Sequence, residues 1–310
     1  MHDHINSLQA IIGKLRITAT FNPMKIIIAL LTVCVSLHVN GQQKHARPVI
    51  GVVQDMERDS VLREAGFGYL VESVAKLISP RNVSEQQFQI NVRKIRALKI
   101  PLVACNIFIP GELKVVGPAV DEDSVLNYVR VVFQRCQRAG IGMIIWGSGG
   151  SRRVPDGFDH AVAKKQFISI ARKIAVLAGQ HDITLALESL NSSEANFITT
   201  VGEALDVVKT VDHPNLRLCV DIYHMLKEGE SPDIISRTGP YLRYCEIAER
   251  ERRTPPGVDG DDFRPYLAAL KNLGYVGKLT IECRWDDVPA QGAMVYRALQ
   301  AQVQAVYGPD

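Results

Sequence analysis

An eight-stranded parallel barrel wrapped by helices, the (β/α)8 architecture, is the fold class this sequence predicts. Three observations carry it. Short apolar runs alternate with longer amphipathic stretches over most of the chain after Gln42, which is the grammar of an α/β fold. Several runs hold no charge until their last residues, as strands buried on both faces do. Four runs then end in acids: Ile183–Glu188, Leu216–Asp221 with His224 just beyond, Leu242–Glu246 followed by Glu249, and Lys278–Glu282. In parallel α/β folds ligands bind beyond the carboxyl ends of the strands, so acids at these positions are candidate functional groups.

The elements follow in order. Val49–Val53 is the first strand, and Gly68–Glu72 a short second one that again ends in an acid. Ser84 caps a helix reaching about Ala97. Pro101–Ile107 is the third strand, followed by a loop from Phe108 to Pro118. The spacing of Val125, Val129, Val132 and Phe133 predicts a helix over 121–139. Gly142–Trp146 is the fourth strand, and a long helix from Asp159 to Gln180 leads to the fifth. Helices at Val201–Val211, near Asp233–Ser236 and at Phe263–Leu273 precede strands six, seven and eight, and Ala290–Val306 closes the chain. An open doubly wound sheet shares this local pattern. Eight units without an appended domain suit a closed barrel better.

With 310 residues, 46% hydrophobic and 22% charged, the chain can bury one large core. A formal net charge of +3 gives no reason to expect a nucleic-acid partner. At the N-terminus, Met24-Lys25 precedes the apolar run Ile26–Val39 and then polar Asn40–Gln43. This pattern predicts a secretory signal peptide, with Met24 as the start, and a periplasmic destination. The run is short for a membrane span; an uncleaved anchor and a lipoprotein at Cys34 are the alternatives. Residues 1–41 are therefore read as an extension plus signal peptide, and 42–310 as the barrel. Cys105, Cys136, Cys219, Cys245 and Cys283 are an odd number without CxxC spacing. They read as buried apolar side chains, neither a disulfide framework nor a zinc site.

Glu188, Asp221, Glu246 and Glu282 lie on four different strands and converge only if all four sit at the carboxyl rim. Four oxygen ligands favour Mn²⁺, with Mg²⁺ or Co²⁺ as alternatives. Asn106, Glu72, Glu249 and Trp146 are placed at the same rim as candidate substrate contacts, and Trp146 and Trp285 could stack on a sugar or pack in the core. The loop Gly147–Arg153 either approaches a phosphate or sugar with its backbone N–H groups or is a plain rim loop.

The order Glu188, Asp221-x-x-His224, Glu246-x-x-Glu249-x-x-Arg252, Pro256-Gly257 and Glu282 resembles the xylose-isomerase-like barrel superfamily, and within it the ketose 3-epimerase and sugar phosphate isomerase/epimerase group. The resemblance spans Val49 to Gly308. It implies that Glu188 and Glu282 are both metal ligands and the acid/base pair, and that Asp221 is a third ligand. His224, Arg252 and Glu194 would contact substrate, and a homo-oligomer would form through rim loops and helices. Glu246 departs from the pattern, which has a metal-binding histidine there. The implied reaction is proton abstraction α to the carbonyl of a small sugar. Reprotonation gives an epimer or an aldose/ketose isomer, and loss of a β group would make the enzyme a lyase or hydratase of 3-keto-glycosides. A phosphodiester-cleaving barrel needs more histidines than His224 at strand ends, and a non-catalytic sugar-binding barrel has no need of both glutamates.

Overall fold

The computed structural model describes residues 46–309. The predicted signal peptide, Met24 and Cys34 lie outside the described residues. Eight parallel strands close into a barrel in sequence order: β1 (Val49–Val53), β2 (Leu70–Ser73), β3 (Leu102–Asn106), β4 (Met143–Trp146), β5 (Thr184–Glu188), β6 (Leu216–Asp221), β7 (Leu242–Ile247) and β8 (Lys278–Ile281). Among the described residues ten α-helices run between and after them: α1 (Asp59–Ala65), α2 (Val74–Leu77), α3 (Glu85–Ala97), α4 (Glu122–Ala139), α5 (His160–Gln180), α6 (Val201–Val211), α7 (Ile222–Glu228), α8 (Asp233–Thr238), α9 (Arg264–Asn272) and α10 (Val288–Tyr307). The expected (β/α)8 architecture is the observed one.

Local chemistry sets the element ends. Ser84, Asp121, Asp159, Thr200 and Asp287 each accept a backbone N–H from the first turn of α3, α4, α5, α6 and α10, satisfying donors that a helix start leaves unpaired. Val125, Val129, Val132 and Phe133 all face inward from α4 with no exposed surface. Among helices the sequence pattern did not separate, α1, α2 and α7 are short, with seven, four and seven residues, less than the two to three turns that a periodicity needs to show.

Side chains alternate along each strand, so every strand has one inward and one outward set. The inward set fills the barrel with Tyr69, Val71, Ala104, Met143, Ile145, Ala186, Cys219 and Tyr244. Tyr69 takes the most room: a Cβ at Gly51 would lie 2.1 Å from its ring, so β1 must be side-chain-free there. Above this plug, Thr280 Oγ1 bonds the Tyr69 hydroxyl at 2.7 Å and also the Tyr244 hydroxyl. The outward set joins the larger core beneath the helices. Cys105, Cys136, Cys219 and Cys245 are buried free thiols and Cys283 is half-buried. Among the described residues no helix is long and apolar enough to cross a membrane.

Candidate active site

The inward positions at the carboxyl ends of β5, β6, β7 and β8 are Glu188, Asp221, Glu246 and Glu282. Strand stagger sets their depth. Asp221 is level with Glu246, but Glu188 pairs with Cys219 and Glu246 with Thr280. Glu282 therefore stands highest, with a fifth of its side chain exposed, and Glu246 is wholly buried. One carboxylate oxygen from each of the four lies within 4.8 Å of the others.

The rest of the site clamps these carboxylates. Asp221 Oδ1 accepts the Tyr223 N–H at 2.8 Å and so caps α7, which leaves Oδ2 for the cluster. Asn106, the last inward residue of β3, donates from Nδ2 to Glu282 Oε1 at 2.6 Å. His224 Nδ1 accepts the Asn191 backbone N–H at 3.0 Å. That donor leaves the ring proton on Nε2, which lies 3.4 Å from Glu188 Oε1 and 3.5 Å from Asp221 Oδ2. His224 is thereby a donor toward the acids, and the oxygen set is the better cation cage.

One cation already neighbours the acids. The Arg253 guanidinium pairs with Glu282 Oε2 and lies 3.7 Å from Asp221 Oδ2 and 3.5 Å from Glu194 Oε1. It covers the Tyr223 ring at 4.6 Å. Arg253 holds a left-handed backbone conformation, φ 57°, on a loop built around Glu249. The Glu249 carboxylate accepts N–H groups of Gly257 (2.7 Å), Gly260 (3.0 Å) and Asp259, and the Thr254 hydroxyl (3.0 Å).

Proton equilibria record the crowding. Burial, followed by the Glu282, Glu188 and Asp221 charges, pushes Glu246 well above the usual carboxylate range. Glu282 is pushed up to about 7 by burial, with Arg253 pulling the other way and Glu188 and Asp221 adding to the rise. Burial works against a charged His224, but Asp221 and Glu188 outweigh it and raise its pKa; the Asn191 donor at Nδ1 opposes that protonation.

The oxygens fit a hard divalent cation. Glu188 Oε1, Asp221 Oδ2 and Glu246 Oε1 are buried with no hydrogen-bond partner, and so is Asn106 Oδ1 beside them. Buried carboxylate oxygens are costly unless paired or bound to metal. Among the described residues the four acids offer only oxygen, and a second possible group, Glu188, Asp221 and His224, shares two of them.

Four of the residues expected to contact substrate stand elsewhere. Arg252 is exposed and pairs with Asp259; the arginine that reaches the acids is its neighbour Arg253. Glu249 is fully buried and occupied by its loop. Glu72 is on the outward side of β2, where it accepts the Met56 and Ser73 N–H groups at 3.2 and 3.1 Å. Trp146 is also outward and wholly buried, edge-on to Phe108 with ring centres 5.8 Å apart. Glu194 lies at the rim, bonded by Asn191 Nδ2 at 3.2 Å. Arg152 does not line the mouth either: it is fully buried, donates to the Trp146 and Ile198 carbonyls, and burial lowers its pKa to about 10.

A sequence profile of the xylose isomerase-like TIM barrel matches residues 61–302. The chain belongs to that family. Curated relatives include a D-psicose 3-epimerase of Ruminiclostridium cellulolyticum, 31% identical over 37% of this chain and 39% of its own length. A probable ketose 3-epimerase of Synechocystis is 26% identical over 60% of this chain and 67% of its own. The alignments to the first of these relatives span only about two fifths of their length. Among solved structures, an L-ribulose 3-epimerase superposes with TM-score 0.72 at 19% identity, covering 84% of this chain and 95% of that one. A 3-keto-D-glucoside 4-epimerase from E. coli superposes with TM-score 0.67 at 18% identity, covering 83% and 99%. At these identities the superpositions speak for the xylose isomerase-like fold alone.

Proposed function

We propose that this member of the xylose isomerase-like family is an exported, divalent-metal-dependent ketose epimerase or isomerase that abstracts a proton α to the substrate carbonyl. The observation behind the reading is the convergence of Glu188 and Glu282 with Asp221 and Glu246 at one end of the barrel. The names of the curated relatives suggest a ketose as the substrate.

Glu188, Asp221, Glu246 and Glu282 would hold the cation. When bound, a divalent cation supplies positive charge where an enolate oxygen develops. Glu188 and Glu282 are the two groups that take and return the proton. Glu282 suits the role because it stands highest of the four, with a fifth of its side chain exposed toward the mouth of the barrel. Asn106 and Arg253 grip its two oxygens and fix its orientation. The His224 Nε2–H and the Arg253 guanidinium are the donors nearest the substrate oxygens, and Glu194 at the rim accepts from a sugar hydroxyl. Glu246, the most buried of the four, gives the site an all-oxygen ligand set, which supports Mn²⁺ or Mg²⁺ as the working ion, with Co²⁺ next.

The test compares Glu188→Gln and Glu282→Gln with the unaltered protein, supplied with Mn²⁺ and D-psicose. Each substitution should lower kcat by at least about 10³-fold, with the circular dichroism spectrum of the folded barrel retained. Ordinary turnover in either variant would remove the acid/base pair.

A further inference from the structure

From the end of β5 three polar residues recur at every third position, Glu188, Asn191 and Glu194. The first joins the carboxylate cluster and the last stands at the rim. Asn191, which no strand end marks, lies between them and is buried. A buried side-chain amide needs partners for its oxygen and for its nitrogen, and Asn191 has both.

Its Oδ1 accepts the Ser193 N–H at 3.0 Å and the Ser193 hydroxyl. A backbone N–H can only donate, so the amide oxygen belongs on that side and the nitrogen on the other. Nδ2 then donates twice, to His224 Nδ1 at 2.8 Å and to Glu194 Oε1 at 3.2 Å. The Asn191 backbone repeats both links. Its N–H reaches the same His224 Nδ1 at 3.0 Å, and its carbonyl accepts the Glu194 N–H at 2.9 Å.

Two donors on Nδ1 leave no place for a proton there, so the ring carries its proton on Nε2. This decides what the histidine offers the acids. His224 groups with Glu188 and Asp221 as a second possible ligand set, but an imidazole nitrogen ligates only without its proton. A metal-ligating histidine donates from its other nitrogen, whereas the other nitrogen of His224 accepts. Glu194 is fixed by the same amide. Its Oε1, which also lies 3.5 Å from Arg253, is the anchored oxygen, and more than a third of the side chain stays exposed at the rim.

We propose that Asn191 is a positioning residue with two tasks: it keeps His224 a hydrogen-bond donor to Glu188 and Asp221 and outside the metal's ligand set, and it orients Glu194 as an acceptor at the mouth. The second task rests on the ketose reading of the site.

The first task is read on the ring itself. Protein labelled with ¹⁵N in its histidines is loaded with Mg²⁺, which unlike Mn²⁺ does not broaden the spectrum. Ring-nitrogen shifts then separate protonated from bare nitrogen, and His224→Gln assigns the His224 pair. The unaltered protein should show a bare Nδ1 and a protonated Nε2. Asn191→Asp keeps the shape of the side chain but replaces its donor with an acceptor, and should bring a proton onto Nδ1. A protonated Nδ1 in the unaltered protein, or a bare one in Asn191→Asp, would overturn the proposal.

The second task is read in kinetics. Asn191→Ala should raise KM for D-psicose about tenfold while kcat changes by less than about threefold; an unchanged KM would overturn this task. The ring shifts need no turnover. The expected shifts in a protein that turns over no ketose would sustain the first task and remove the ketose reading, and the second task with it. Turnover with a protonated Nδ1 would do the reverse.

Discussion

Glu188 owes its place to a residue on another strand that has no side chain. An ideal Cβ at Gly147, immediately after β4, would lie 2.4 Å from Glu188 Oε2, so the glycine leaves the room the carboxylate occupies. Gly147 is not at a positive φ, and the atom in the way is the far end of a flexible side chain. Gly147→Ala is therefore expected to move the carboxylate and spare the fold. Kinetics should show kcat down by about 10²-fold, while denaturant unfolding shows a change within about 1 kcal/mol. Full activity in this variant would mean that Glu188 need not sit where it does. The same scale explains what the sequence could not show about arginine. Arg252 and Arg253 are adjacent, and motif spacing favours the first. The left-handed turn at Arg253 and the Glu249-centred loop, which depends on contacts up to twelve residues away, decide for the second.

At the scale of the element, most of the site was legible because a strand's register is also a rule about direction. Glu188, Asp221, Glu246 and Glu282 each end an apolar run on the inward face, and Asn106 keeps the inward parity of Ala104. Trp146 ends β4 and Glu72 stands one residue before the end of β2, but each is one residue out of phase and faces the helices. Parity within β2 and β4 carried that information: Val71 and Ile145 are the inward neighbours, so Glu72 and Trp146 point outward. Loops offered no such rule. The burial of Arg152 under carbonyls of Trp146 and Ile198 joins segments 46 residues apart, and the Asn191 N–H that sets the His224 tautomer crosses 33 residues. Neither contact has a local signal.

For the whole molecule, the crowding of acids at one end of the barrel links stability to pH. Glu282 has its folded pKa raised to about 7, above the ordinary glutamate value of 4.5, and burial pushes Glu246 well above the carboxylate range. Between about pH 4.5 and 7 the native state thus holds protons that the unfolded chain releases, so stability falls as pH rises. A raised His224 pKa acts in the same direction. Metal-stripped protein should show a thermal midpoint that drops across this window, and saturating Mn²⁺ should raise the midpoint most at the high end. A midpoint that rises with pH in the stripped protein, or is indifferent to Mn²⁺, would count against a cation cage. The proposed export also belongs to the scale of the whole chain. N-terminal sequencing of protein recovered from the periplasm should begin close to residue 42; recovery of the full-length chain from the cytoplasm would set export aside.

The most direct measurement follows hydrogen at the reacting carbon. Protein without residues 1–41, loaded with Mn²⁺, is incubated with D-fructose in deuterium oxide and the sugar read by NMR. Deuterium should enter at the carbon next to the carbonyl as an epimer or aldose appears, and Glu282→Gln should suppress both. An epimer formed with no deuterium in either sugar, or exchange undiminished in Glu282→Gln, would contradict proton transfer by these carboxylates.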